Sequence, residues 1–265
     1  VTRNRRLLLI LAMLSSLAAA LATGCNKEEP KSEVGRFIDQ YRDLPEEAFV
    51  DTLQALATGG GPFAHYAHFE LGNMYYEQAS ALAMEKGWND SALTAPLDSS
   101  MAHFEWAIAI DSTFVEAYVN LGSLWDDLAS ATPGGGEDRQ LKLDRTEKAR
   151  SLYEQAIAID PGDEKARCNL GALHMRLRQT TEAVDQFRAA LAANPGSALA
   201  HYNLAIAFAE EKMYREAIVE WQAAVKADPK GDIGARSREN IKIVEELMNT
   251  EIPENLAQPA ADEGH

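Results

Sequence analysis

Cysteine is nearly missing from this chain: Cys25 and Cys168 are the only two among 265 residues. No zinc or redox spacing can be built from them, and if Cys25 is chemically blocked no internal disulfide can form. Missing too are a zinc-binding His-Glu-x-x-His, a phosphate loop, a nucleophile elbow and a haem-attachment motif. The glycine runs at 59–62 and 133–136 have no following strand or Lys and read as loops. Positive charge is scarce as well. Twenty-five Lys and Arg stand against 41 Asp and Glu, for a formal charge of −16. Residues 1–24 hold three Arg and no acid, so the rest has 22 basic and 41 acidic residues, a net charge of about −19. That balance repels nucleic acid and anionic headgroups and suits a basic partner or plain solubility.

No apolar run is long enough for a comfortable membrane span: Leu7 to Ala22 gives sixteen uncharged residues. It follows Arg3, Arg5 and Arg6 and precedes small residues, the layout of a secretory signal peptide over 1–24. Leu21-Ala22-Thr23-Gly24-Cys25 resembles the lipobox of bacterial lipoproteins, with Ala22 where Leu is usual. The resemblance implies that Cys25 is acylated and becomes the first mature residue, and that residues 25–44 form a tether with a short helix. An ordinary secreted protein cut near Gly24 is the alternative. Buried acyl carbons hold a protein to a bilayer at about 0.8 kcal/mol each. In lipoproteins of Gram-negative bacteria, Asp after the Cys favours the inner membrane; Asn26 stands there instead, which favours the outer membrane.

The remainder repeats itself. The segments at 117–125, 166–174 and 201–209 align, as do those at 153–161, 187–195 and 221–229; an earlier pair lies at 68–76 and 104–112. Pro161, Pro195 and Pro229 follow one another at equal intervals. Leu-Gly at 71–72, 121–122 and 170–171, with Leu204-Ala205, places a small residue where two helices cross closely. Ser100, Ala149, Ala183 and Ala217 supply the facing small position, and Phe104, Tyr153, Phe187 and Trp221 the large knobs of the second helix. These features, and the spacing of the three prolines, resemble the tetratricopeptide repeat, a helix-turn-helix unit of about 34 residues. The resemblance implies an all-α, right-handed superhelical solenoid of four units, 65–114, 115–163, 164–197 and 198–231. Capping helices are expected over 45–62, with Pro45 at the first helical position, and over 232–250, where Ile241, Val244 and Met248 form one stripe. Residues 251–265 read as a disordered tail.

The departures from the pattern are specific. Ser112 replaces the closing Pro of the first unit, and Arg178 and Lys212 replace the turn Gly. Units one and two each carry an insertion between their helices. In unit one the first helix is expected to run on to Gly87, with Trp88 to Pro96 a loop; in unit two Glu137 to Ile159 is expected as one long helix. Asp163 and Ser197 are expected as N-caps.

In the repeat family the first helices line a concave groove that holds a partner. Carried over, the groove positions are Tyr66, Phe69, Asn73 and Tyr76; Asn120, Ser123 and Asp127, with Glu116; Lys165, Asn169 and Arg176, with Met175; and Tyr202 and Asn203, with Ile206 and Glu210. The recurrent Asn120, Asn169 and Asn203 can pair with an extended peptide backbone or bridge neighbouring helices. The aromatics of unit one are an apolar anchor or core packing against 45–56. The Lys/Arg and Asn set that clamps a C-terminal carboxylate in some members is incomplete. His65 and His68 stand at i, i+3 with no third ligand; His68, His174 and His201 fall at core repeat positions and read as packed side chains. Cys168 reads as a small apolar filler, with a reactive thiol as the alternative, and no cofactor or metal is expected. The function these readings imply is a non-catalytic, lipid-anchored scaffold that binds another envelope protein in envelope or appendage assembly. The alternatives are a passive spacer, or a hydrolase or small-ligand protein using Glu77, Asp126, Asp127 and the histidines.

Overall fold

The computed structural model describes Tyr41 and residues 44–88, 90–136 and 138–251. The expected signal peptide, Cys25, nearly all of the tether and all but the first residue of the tail lie outside these residues. The chain divides into compact units at 1–44 and 45–265; the second is described here. Its elements are α1 (Glu46–Gly59), α2 (Ala64–Lys86), a 3-10 turn (Ser91–Leu93), α3 (Thr94–Ile110), α4 (Val115–Ala131), α5 (Asp138–Ile159), α6 (Glu164–Arg176), α7 (Thr180–Ala193), α8 (Ala198–Glu210), α9 (Tyr214–Ala227) and α10 (Asp232–Glu251). The described residues contain no strand.

Four hairpins follow one another, α2–α3, α4–α5, α6–α7 and α8–α9, each packed on the next. Small residues set the crossing, through a contact that the sequence pattern alone did not identify. A Cβ added to Gly72 would stand 2.7 Å from the Phe104 ring, one on Gly122 2.7 Å from Tyr153, and one on Gly171 2.4 Å from Phe187. Each glycine is therefore the floor beneath an aromatic ring of the partner helix. Phe104, Tyr153 and Phe187 are each no more than 1% exposed. Burying a ring of this kind contributes about 1.5–3 kcal/mol. In the first hairpin the Ser100 hydroxyl donates to the Gly72 carbonyl at 2.8 Å, so the small residue on the second helix also pins the first.

Turn chemistry fixes the register. Asp163 accepts from the Ala166 N–H at 2.6 Å and Ser197 from the Ala200 N–H at 2.9 Å, both as N-caps. Between hairpins an Asp or Asn carboxylate or amide oxygen closes the turn: Asp111 accepts from Thr113 N, Asp160 from Gly162 N and Asn194 from Gly196 N. This is how the first unit dispenses with proline. Asp111 also accepts from the Thr113 hydroxyl, and these bonds hold its carboxyl below the usual range. Within hairpins, Arg178 and Lys212 have φ of 60° and 59°. Gln179 N bonds His174 O while Arg178 N bonds Met175 O, and Met213 N bonds Phe208 O while Lys212 N bonds Ala209 O. Both are Schellman closures, whose left-handed residue is ordinarily glycine.

Two boundaries differ from the sequence reading. The stretch Trp88 to Pro96 is not one loop: the 3-10 turn starts at Ser91, capped by Asp90 accepting from Ala92 N, and α3 begins at Thr94. Pro96 sits in the first turn of α3, where no amide donor is required. Pro45 is the residue before α1 rather than its first; its carbonyl accepts from Phe49 N at 2.8 Å.

The long helices of the first two hairpins build an extra apolar layer. Ala79 and Ala83 of α2 pack with Leu93, Leu97, Leu124 and Leu128, and Leu82, Trp88 and Trp125 close over them. The extended start of α5 then caps α4. Arg145 donates to Leu128 O and Thr132 Oγ1, and Lys142 to Thr132 O, satisfying carbonyl groups that a helix end leaves unpaired. At the other end α10 covers α9, with Val244 buried and Ile241 and Met248 beside Trp221.

Candidate functional site

The first helices α2, α4, α6 and α8 carry the residues singled out as a binding face. A polar seam joins these helices in order. Asn120 donates to Asn73 Oδ1 at 2.7 Å, and the Tyr76 hydroxyl donates to Asp127. Asn169 donates to Ser123 Oγ at 3.1 Å, which also lies 3.4 Å from the Tyr153 hydroxyl, and Arg176 pairs with Asp126. Between α6 and α8, Asn203 hydrogen-bonds Cys168, and Glu164 accepts from the Ser197 hydroxyl at 2.5 Å. Tyr202 meets Asn240 of α10 at 3.5 Å. The repeated asparagines thus bridge neighbouring helices, and each retains further donor and acceptor capacity.

Exposure along the seam is graded. Asn73, Tyr76, Asn120, Ser123, Asn169, Tyr202 and Asn203 are half-buried, while Asp127, Lys165 and Arg176 are exposed. The amides are therefore held by their helical neighbours, and the charged groups stand outside them. Tyr66 and Phe69 meet a ring that the sequence reading did not include. Both pack edge-on against Phe114, at ring centroid distances of 5.0 Å, where α3 turns into α4. They join the first and second hairpins, and Phe69 also tilts against Phe104. Phe114 was not singled out in the sequence, because it stands in a turn outside both helical patterns.

Burial tunes the ionisable groups. The Glu70 carboxyl is pushed up to about 7, by loss of solvent first, against its bond to Asn73, and with Glu77 adding repulsion. Desolvation raises Glu77 too, and raises Asp126 in spite of Arg176. The phenols of Tyr76 and Tyr153 are raised by desolvation first. Cys168 is 1% exposed and its thiol is pushed up to about 12 by burial, so it fills space as an inert side chain. Asp126 and Asp127, two of the three acids of the catalytic alternative, are engaged by Arg176 and Tyr76, while Glu77 is exposed. Among the described residues no group of three or more His, Cys, Asp and Glu is placed to hold a metal ion. Nor is any described helix long and apolar enough to cross a membrane.

The described histidines fall into three settings. His65 packs edge-on against Phe114. His174 contacts Gln179 at 2.7 Å, and His201 pairs with Glu220 at 2.6 Å. His68 meets His103, which the sequence pattern did not single out; the two are 35 positions apart and share no repeat spacing.

Comparisons with known proteins agree with this architecture. Two models of the tetratricopeptide repeat family match residues 168–232 and 140–163. No curated protein matches. Among solved structures, a tetratricopeptide repeat protein from Parabacteroides merdae is similar, with a TM-score of 0.54 and 16% identity over 82% of this chain and 73% of that one. A thermophilic tetratricopeptide repeat protein of Thermus thermophilus gives 0.49 and 17% over 67% and 98%. MamA from Desulfovibrio magneticus gives 0.41 and 16% over 69% and 98%. The aromatic-on-glycine crossings and the Schellman turns agree with the family matches and the Parabacteroides likeness: residues 140–163 and 168–232 carry tetratricopeptide repeats, and the described residues from 45 onward stack as an all-helical solenoid.

Proposed function

We propose that this protein is a non-catalytic scaffold that docks a segment of another envelope protein along the first-helix face and is held to the membrane by lipid on Cys25. Tetratricopeptide repeats serve in general as protein-interaction scaffolds. The observation that carries the reading is the polar seam: Asn73 with Asn120 and Ser123 with Asn169 are locked across helices before any partner arrives. Amides fixed in this way lose little freedom on binding, which favours affinity. The outward groups Asp127, Lys165 and Arg176 then select among partners by charge.

Photocrosslinkers placed at Asp127 and Lys165 test the docking face, with Val219, an exposed residue on the second helix of unit four, as control. Capture of one partner from the first two sites and not from Val219, reduced when Asn120, Asn169 and Asn203 are replaced together, supports the reading. Equal capture from all three sites overturns it. The anchoring reading rests on the sequence around Cys25. Cys25→Ser is expected to move the protein from the membrane to the soluble fraction; unchanged fractionation would end that part.

A further inference from the structure

The first hairpin carries a feature that the binding face does not use. His68 of α2 and His103 of α3 meet Nδ1 to Nδ1 at 2.9 Å, with ring centroids 5.2 Å apart. They form the wall of an apolar groove of about 380 Å³, between α1 and the first hairpin. Tyr75 stacks on His103 at 5.5 Å, and the half-exposed Trp106 stands 5.1 Å from His68 and 5.3 Å from His103. α1 closes the groove with Gln54, Ala57 and Thr58, and His68 hydrogen-bonds the backbone of Ala57.

These bonds assign the tautomers. His68 donates to the Ala57 carbonyl from Nε2, because its Nδ1 faces His103. That Nδ1 is then an acceptor, and His103 donates to it from its own Nδ1. A relay of neutral imidazoles thus runs from α3 through α2 to the backbone of α1. One extra proton can be taken up on His103 Nε2, which leaves the N–H···N contact intact at the cost of a charge in an apolar groove. A second cannot, because two N–H groups would then face each other at 2.9 Å. Among the described residues no acid lines the groove to compensate. The ionisable groups facing the pair are each other and Tyr75. Glu47 and Asp51 of α1, Glu70 and Glu77 of α2 and Asp98 and Glu105 of α3 all lie outside the groove lining.

We propose that the His68–His103 pair is an acid-operated latch, which holds α1 on the first repeat at neutral pH and releases it as the two imidazoles take up protons. Release solvates both rings, lets them turn apart, and uncovers the apolar side of α2 around Leu71. The linkage has a definite sign. Loss of solvent, with the nearby His68, holds His103 down at about 4, and loss of solvent lowers His68 as well. The docked form therefore binds fewer protons than the released form. Docking is at full strength above the ordinary imidazole value of about 6.5 and weakens as pH falls from there toward about 4.

Hydrogen exchange on the full chain tests this. Between about pH 7.5 and about pH 5.5, amides of Leu53 to Thr58, corrected for intrinsic exchange, should speed up about tenfold from His103 alone, relative to amides of α9. The double variant H68Q/H103Q puts two amides in place of the rings, able to bond each other and Ala57 without titrating. It should keep α1 protected at both pH values. Parallel exchange of α1 and α9 in the native chain, or an undiminished acid response in the double variant, overturns the proposal. If the double variant does not fold, the ring-proton titrations of His68 and His103 in the native chain decide. Midpoints below the free-histidine value support the latch, and midpoints near about 6.5 overturn it.

Discussion

Replacing Gly171 with Ala sets two known effects against each other. Ala is favoured over Gly inside a helix by about 1 kcal/mol. Its Cβ, however, would stand 2.4 Å from Phe187 Cε1 and 2.8 Å from Cδ1 and Cζ, far inside the optimum of about 3.5–4.0 Å for carbon pairs. The ring has no room to retreat: Phe187 is 1% exposed and packed with Cys168, Ala183, Ala190 and Leu204. Relief requires an off-rotamer ring or separation of α6 from α7, which costs about 1–3 kcal/mol. The expected net is a loss of up to about 2 kcal/mol. Urea unfolding followed by circular dichroism at matched slopes measures it. A second background isolates the cause. In Phe187→Leu the shorter side chain yields, so Gly171→Ala there should be neutral or stabilising. A Gly171→Ala change that costs no more with Phe187 in place than in the Phe187→Leu background would refute the idea that this glycine is retained for the ring above it.

Other outcomes follow from single contacts. Lys212→Gly should stabilise by about 0.5–1 kcal/mol, since glycine takes the left-handed turn without strain; a lower urea midpoint would contradict the φ of 59°. Ser197→Ala should cost about 1–2 kcal/mol, because it strips the cap from the Ala200 N–H and a partner from Glu164 at a buried position; a shift within error would show the cap to be idle. Glu70 ionises more readily unfolded than folded, so stability should fall as pH rises from about 4.5 to about 7. Glu70→Gln should therefore stabilise the chain more at pH about 8 than at pH about 5, read from melting curves; equal gains at both would oppose a raised carboxyl.

The positions that the sequence made legible share a local or periodic cause. The glycines at 72, 122 and 171, the caps at Asp163 and Ser197 and the left-handed Arg178 and Lys212 each recur at fixed offsets in the repeat. Their chemistry involves neighbours a few residues away or a crossing that every unit repeats. The loop assigned to Trp88–Pro96 failed for the converse reason. It lies in an insertion, where no other unit supplies a template, and Asp90 starts a turn there that leads directly into α3.

The sequence by itself determined the helical hairpins, their order and the small residues on which the rings rest, because a repeating unit writes the same packing problem several times. Tertiary structure alone decided how the odd members are used. It turned Asn120 toward Asn73, Tyr76 toward Asp127 and His68 toward His103, pairs separated by 47, 51 and 35 positions. It placed Phe114 between Tyr66 and Phe69 and closed Cys168 off from solvent. A hydrogen bond or ring contact depends on angstrom distances between different helices, and those distances are set by the stacking of whole hairpins rather than by any residue's own neighbourhood.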